Sequence, residues 1–337
     1  MRVVVTGATG NVGTSLLAAL AREPLVRQVI GIARRAPEAT FAKARFVQAD
    51  VGRDALDPYL VRADAVVHLA WKIHSSHEPA ELWQTNVEGS RRVFEAALRA
   101  EVPHLIYASS AGAYSPGPKD RLVDETWPTA GVESSHYSRQ KAAVERLLDE
   151  IEDAHPSLRV VRLRPALIFK RAAASHLRAL FLGSLVPRFV FDQRYLRLVP
   201  DHPALRLQVV HAADVADAYR RALLSQVRGA FNVAADPVLD SKLLAELLDG
   251  RRVRVSPRLL RGLARAGFLL RLQPAEPGWI DLAFRSPLLD CSRIRSELDW
   301  APRRSAQHTL LEVLDGLREG ADFATPPLES HGGLGAV

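Results

Sequence analysis

A short apolar strand, Arg2-Val-Val-Val-Thr6, runs straight into Gly7-Ala-Thr9-Gly10-Asn11-Val12-Gly13, and an amphipathic run from Thr14 to Ala21 follows at once. No other stretch limits the possible folds as tightly. A strand that turns on glycines into a helix gathers bare backbone N–H groups and the positive end of a helix dipole at one point. Dinucleotide pyrophosphates bind at such a point. In this reading Gly7 permits the tight turn, Gly10 lets the backbone approach the phosphates, and Gly13 lets helix and strand pack closely. Glycines also serve ordinary loop geometry. Their place between a strand and a helix carries the inference.

Apolar stretches at 2–6, 28–32, 45–49, 64–69, 103–109 and 158–163 alternate with helical patterns at 12–22, 80–100 and 135–154. That alternation predicts an α/β fold with a doubly wound parallel sheet and ligands at the carboxyl ends of its strands. The dinucleotide-binding core is expected over 1–165 and a smaller α/β substrate lobe over 166–320. Within the lobe, 207–226 is expected to return to the core. The lobe's later pattern predicts strands at 207–210 and 230–234, and helices at 212–226, 240–249, 257–272 and 305–319. The tail 321–337, with Pro326-Pro327 and Gly332-Gly333, is expected to be disordered.

The chain carries a formal charge of +7 and one cysteine, Cys291. Much of the positive excess falls late, in Arg251, Arg252, Arg254, Arg258, Arg261, Arg265 and Arg271, with no acidic residue among them. No zinc-finger or RNA-recognition signature accompanies them, so a nucleic-acid partner is not expected. Arg258, Arg261 and Arg265 share one face of the 257–272 pattern, while Leu259, Leu260, Leu263 and Leu270 lie largely elsewhere. Packing on the second lobe is the plainest reading of this helix; a substrate lid and a seat on an acidic membrane surface are the others. No apolar run is long enough to cross a bilayer. A strand opening at Arg2 and a lone cysteine predict a cytoplasmic protein without a disulfide.

Tyr137-Ser-Arg-Gln-Lys141 puts a phenol and an ammonium on one helix face. Such an ammonium is expected to lower the phenol's pKa, so that it exchanges a proton with a substrate oxygen while hydride moves to or from nicotinamide. Ser109 and Ser110 end the preceding strand, where a substrate oxygen would lie. A hydrogen bond from Ser110 to that oxygen and a simple strand-end cap both fit. His74 and His77 follow the fourth strand without any supporting cysteine or carboxylate cluster, so no metal is expected. Either histidine could instead contact substrate, and Trp71 could wall it.

Together these motifs resemble the short-chain dehydrogenase/reductase superfamily, in its extended branch, the NAD-dependent epimerase/dehydratase family. The resemblance covers roughly residues 2 to 318 and implies a Rossmann fold. It implies that Ser110, Tyr137 and Lys141 are the catalytic residues. Cofactor contacts are implied for Gly7, Thr9, Gly10, Asn11, Val12, Gly13, Asp50, Val51, Leu69, Ala70, Trp71, Asn86, Ser109 and Pro165, besides Tyr137 and Lys141. The later motifs His211-Ala-Ala-Asp214, Phe231-Asn232-Val233 and Leu298-Asp-Trp300-x-Pro302 fit the same family. A homodimer is a family-level expectation.

At the end of the second strand, Ala33 stands where an NAD-selective carboxylate would lie, and Arg34 and Arg35 follow. This favours NADP(H), with NAD the alternative. Many relatives act on nucleotide sugars. Where those usually carry an asparagine and an arginine for the diphosphate, this chain aligns Leu167 and Leu207, with Arg206 one residue away. The leading expectation is an NAD(P)-dependent oxidoreductase acting on a small or moderately apolar carbonyl or alcohol. A sugar-nucleotide epimerase or dehydratase with tightly held NAD, and a non-catalytic NADP-binding sensor or scaffold, are the alternatives.

Overall fold

A computed structural model describes residues 1–73, 79–181, 183, 186–192, 194–270 and 275–329. His74, His77, Arg271 and residues 330–337 lie outside them. Seven strands form one sheet: β1 (Arg2–Thr6), β2 (Gln28–Ala33), β3 (Ala44–Gln48), β4 (Ala65–His68), β5 (His104–Ala108), β6 (Arg159–Pro165) and β7 (Gly229–Val233). Their order is β7-β6-β5-β4-β1-β2-β3, and every neighbouring pair is parallel. The order reverses between β1 and β4, which opens a crevice at the carboxyl ends of those two strands.

The principal helices are α1 (Asn11–Ala21), α2 (Gly89–Arg99), α3 (His136–Ala154), α4 (Ala212–Leu224), α5 (Pro257–Leu269), α6 (Gly278–Arg285) and α7 (Ala306–Glu319). Central strands are continuous apolar runs because both of their faces are covered. Val3 and Val5 pack with Leu16, Leu17 and Leu20 of α1 and with Val215 and Tyr219 of α4. Val4, pointing the other way, packs with Val93 and Phe94 of α2 and with Val144 and Leu148 of α3. A period of two along the strand thus builds one core on each side.

The predicted helix over 80–100 is three pieces: Pro79–Trp83, a π-helical turn at Gln84–Glu88, and α2. Several short elements carried no clear sequence signal. Strands Leu167–Phe169 and Ala235–Leu239 are among them, and they flank the expected strand, found at Leu207–His211, in a small three-stranded sheet; Leu198–Asp201 pairs with Arg251–Arg254. The tail departs from the expected disorder over 321–329. Thr325 and Leu328 are fully buried there, and the Thr325 hydroxyl donates to the Thr9 carbonyl at 2.9 Å. Backbone bonds from Ser175 to Ala321 and from Ala39 to Ala324, with Phe323 against Phe41, help to hold a segment whose composition reads as a loop.

Candidate active site

Gly7 adopts φ +67°, and a Cβ there would lie 2.6 Å from the Ala70 nitrogen. The ends of β1 and β4 therefore touch at the crevice. A Cβ on Gly13 would lie 2.3 Å from the Gly7 carbonyl oxygen, so α1 is pressed against the turn. Gly10 differs, since the nearest atom to its Cβ position is the Gly7 oxygen at 3.3 Å. As N-cap of α1 it supplies no side-chain cap, and no acidic residue occupies the first turn. The first-turn N–H groups of Asn11, Val12 and Gly13 thus point toward a place suited to an anion. Asn11 donates its amide to the Ile168 carbonyl at 3.2 Å, while its buried Oδ1 has no partner among the described residues.

Around this turn the structure assembles the other residues singled out by sequence. Leu69 and Ala70 leave β4 hydrogen-bonded to the Thr6 carbonyl and hydroxyl. Trp71 comes next, with its buried indole Nε1 unpartnered among the described residues. Arg34 and Arg35 are exposed at the end of β2. Asp50 closes a local turn by accepting the Gly52 N–H at 2.9 Å, and Val51 is buried beneath it. Pro165 ends β6 beside Val233.

Two of the residues for which the resemblance implies cofactor contacts have side chains hydrogen-bonded within the protein. The Asn86 side chain is buried and spent on the protein: its oxygen accepts from the Lys72 N–H at 2.7 Å. Its amide donates to the Lys72 carbonyl and to Gln140 Oε1 at 2.9 and 2.8 Å. It staples the Trp71 loop to α3 from within the π-helical turn, a local distortion common at functional sites. The Ser109 hydroxyl donates to Glu145 and so faces the interior rather than the crevice. Sequence reasoning missed Gln140 and Glu145 because both look like ordinary polar positions on an amphipathic helix.

Ser135 caps α3, accepting the Ser138 N–H, and this helix start carries Tyr137 and Lys141 into the site. Tyr137 stands between two tryptophans, with ring centroids 6.0 Å from Trp71 and 4.9 Å from Trp279. Phe181 meets Trp279 edge-on at 5.0 Å. Trp279 and Phe181 come from the second lobe and were not anticipated. Burial pushes the Tyr137 phenol up to about 12, against a smaller opposing effect of its hydrogen bond with Ser110. Ser110 also accepts the Gly112 N–H at 3.0 Å, which is the strand-end cap foreseen for this hydroxyl.

Lys141 is buried and lies 3.4 Å above the Trp71 ring centroid, donating to the Ala108 carbonyl at 2.6 Å. Its nitrogen is 5.9 Å from the Tyr137 ring centroid. The expectation that this ammonium depresses the phenol's pKa is not met. Burial drives the amine well below its ordinary value, with Glu145 opposing, and burial is also what dominates the phenol. Behind Lys141, Glu145 is held by Arg162 and Arg164 at 3.0 and 2.9 Å. Arg164 also donates to the Tyr114 hydroxyl. These charges are paired and almost fully buried, which fixes the floor of the site.

Leu167 and Leu207 lie in the same three-stranded sheet, in which Leu167 pairs with Val209, and Leu167 is 43% exposed. Between α5 and the start of α3 is a cavity of about 480 Å³, lined by His136, Arg258, Arg261, Arg265 and Phe268. Among the described residues no cluster of three or more His, Cys, Asp or Glu residues could hold a metal, and no helix is long and apolar enough to cross a membrane.

Comparison with known proteins places this geometry among relatives. Residues 3–234 match the model of the NAD dependent epimerase/dehydratase family. A UDP-glucose 4-epimerase of Azospirillum brasilense is 30% identical over 347 residues, covering 95% of this chain and 90% of that protein. The decarboxylating sterol-4-α-carboxylate 3-dehydrogenase of Candida albicans is 32% identical over 179 residues, half of each chain. The crystal structure of Thermus thermophilus UDP-glucose 4-epimerase in complex with NAD superposes with a TM-score of 0.68 at 22% identity, covering 94% of this chain and 99% of that one. That likeness is one of fold.

Proposed function

The chain belongs to the NAD-dependent epimerase/dehydratase family, and on that premise we propose that it transfers hydride between a nicotinamide dinucleotide and an apolar carbonyl or alcohol, with Tyr137 as general acid and base. The observation that carries this reading is the aromatic surround of Tyr137, with Trp71 and Trp279 against its ring, Phe181 backing Trp279, and Ser110 sharing a hydrogen bond with its hydroxyl. A ring or chain slotted among these aromatics would bring its oxygen to the phenol and the serine.

The crevice suits a dinucleotide. Its turn is bare of side chain at Gly10, the helix start above it has no side-chain cap, and the buried Asn11 Oδ1 lacks a partner among the described residues. The turn at Gly7–Gly13 would hold the pyrophosphate, Asp50 and Val51 would flank the adenine, and Lys141 would hold ribose hydroxyls. Arg34 and Arg35 have no carboxylate partner among the described residues, and a 2′-phosphate would supply one, which favours NADP(H) over NAD(H). When bound, the nicotinamide supplies or accepts the hydride.

Held near 12, the phenol enters a reduction protonated. It donates its proton to the carbonyl oxygen as hydride reaches the carbon, with Ser110 orienting that oxygen. Lys141, seated over Trp71 by the Ala108 carbonyl, positions the site from behind.

A second reading, sugar-nucleotide epimerisation with retained NAD, is favoured by the identity shared with the Azospirillum epimerase. Leu167 and Leu207 stand against it, because a diphosphate beside them would lose hydrogen bonds in a closed site. The deciding experiment offers the protein NADPH with a panel of cyclic and long-chain ketones, and separately UDP-glucose without added cofactor. Ketone-dependent loss of NADPH absorbance is the expected result. Interconversion of UDP-glucose and UDP-galactose without ketone reduction would replace this reading with the second.

A further inference from the structure

The plainest sequence reading of α5, packing on the second lobe, holds for one face only: α5 meets α6, while its leucine face stays outside. No residue of α5 is buried, and Leu259 and Leu263 are each 61% exposed. Leu269 and Leu270 at its end are also exposed. At 100° per residue, Leu259, Leu263, Ala266 and Leu270 form one outward stripe; Arg258 and Arg265 lie to one side of it, and Arg261 farther round. Arg261 pairs with Asp281 at 2.9 Å, whereas Arg258 and Arg265 have no carboxylate partner among the described residues. No aspartate or glutamate occurs from 250 to 275.

The strand leading into this helix continues the pattern. Arg251 and Val253 share a sheet face with Leu198, and all three are exposed. We propose that α5 is an interfacial helix whose leucine stripe and flanking arginines dock the protein on a bilayer rich in anionic phospholipid.

Two physical arguments select that occupant. A two-fold contact between copies would set the same patch against itself, arginine facing arginine, with Asp281 already paired to Arg261 and Glu276 largely buried. A nucleic acid would use the arginines and leave the leucines in water. An anionic lipid interface satisfies both, with headgroup charge meeting guanidinium and leucines entering the acyl boundary. The inference is independent of the chemistry proposed for Tyr137.

Flotation of the full-length protein with phosphatidylcholine vesicles, with and without phosphatidylglycerol, tests it. Binding is expected only with the anionic lipid, weakening as salt is raised, and Leu259→Ser/Leu263→Ser should lower it by roughly tenfold or more. These leucines are solvent-exposed, so circular dichroism of the variant should match the parent. Absence of binding to anionic vesicles, or binding indifferent to the leucine changes, would overturn the proposal. Self-association in sedimentation velocity that the same changes abolish would overturn it too, in favour of a second copy.

Discussion

At the scale of single residues, the glycine turn separates the needs of folding from those of binding. Gly13 sits where any Cβ would press on the Gly7 carbonyl at 2.3 Å, and the obstacle is backbone. Gly13→Ala is therefore expected to destabilise the protein by about 3 kcal/mol in urea unfolding. Gly10 has 3.3 Å to the same oxygen, a tight but far milder contact, so Gly10→Ala should cost much less stability than Gly13→Ala while filling the space a pyrophosphate needs. Titration of that variant with NADPH should show affinity lowered by about tenfold or more. Equal loss of stability in the two variants would mean that all three glycines serve packing alone. Tyr137 teaches a related lesson. A Tyr–Lys spacing of four places both on one helix face, but the state of the phenol follows from Trp71 and Trp279, which are remote in sequence.

At the scale of elements, α3 does two jobs with neighbouring turns. One turn presents Tyr137 and Lys141 to the crevice, and the next plants Glu145 between Arg162 and Arg164 of β6. Glu145→Gln would leave two buried guanidiniums short of charge, with Arg162 still served by Asp149 at 2.6 Å. Destabilisation of about 3 kcal/mol is expected in chemical unfolding. A change below about 1 kcal/mol would show that the network is not the clamp described. The central strands and α1, α3, α4 and α7 were legible to within a residue or two, because buried parallel strands and amphipathic helices write their period into the chain. Elements formed by tertiary pairing were not. Leu122–Val123 and Leu288–Leu289 are strands only because they find each other across the fold, and no local pattern announces that. The same holds for the candidate site. Gly7, Ser110, Tyr137 and Lys141 follow from motif and spacing, whereas Trp279 and the engagement of Asn86 depend on contacts between distant segments. Residues 321–329 read as tail because their anchoring, through Thr325 on Thr9, is local to the fold and not to the sequence.

At the scale of the whole molecule, stability and site are linked through buried ionisable groups. Burial holds both His68 and His104 down to about 3, and Arg159 adds to the effect on His104. Burial alone would raise Glu145, but Arg164 and Arg162 hold it down to about 2. Each group has a folded pKa below its unfolded one, so stability is full above the unfolded pKa and is lost as pH falls. For the histidines the loss begins below about pH 6.5 and runs at up to about 1.4 kcal/mol per pH unit each. Urea midpoints should therefore fall between about pH 7 and 5, before the carboxylates titrate, and His104→Gln should reduce the slope. A flat profile over that interval would contradict the buried, neutral histidines. The account as a whole turns on proton transfer by one phenol, and the rate of carbonyl reduction by Tyr137→Phe beside the parent protein tests it most directly. The account predicts that kcat falls by about 10³-fold while NADPH affinity stays within about threefold. Undiminished turnover in that variant would contradict it.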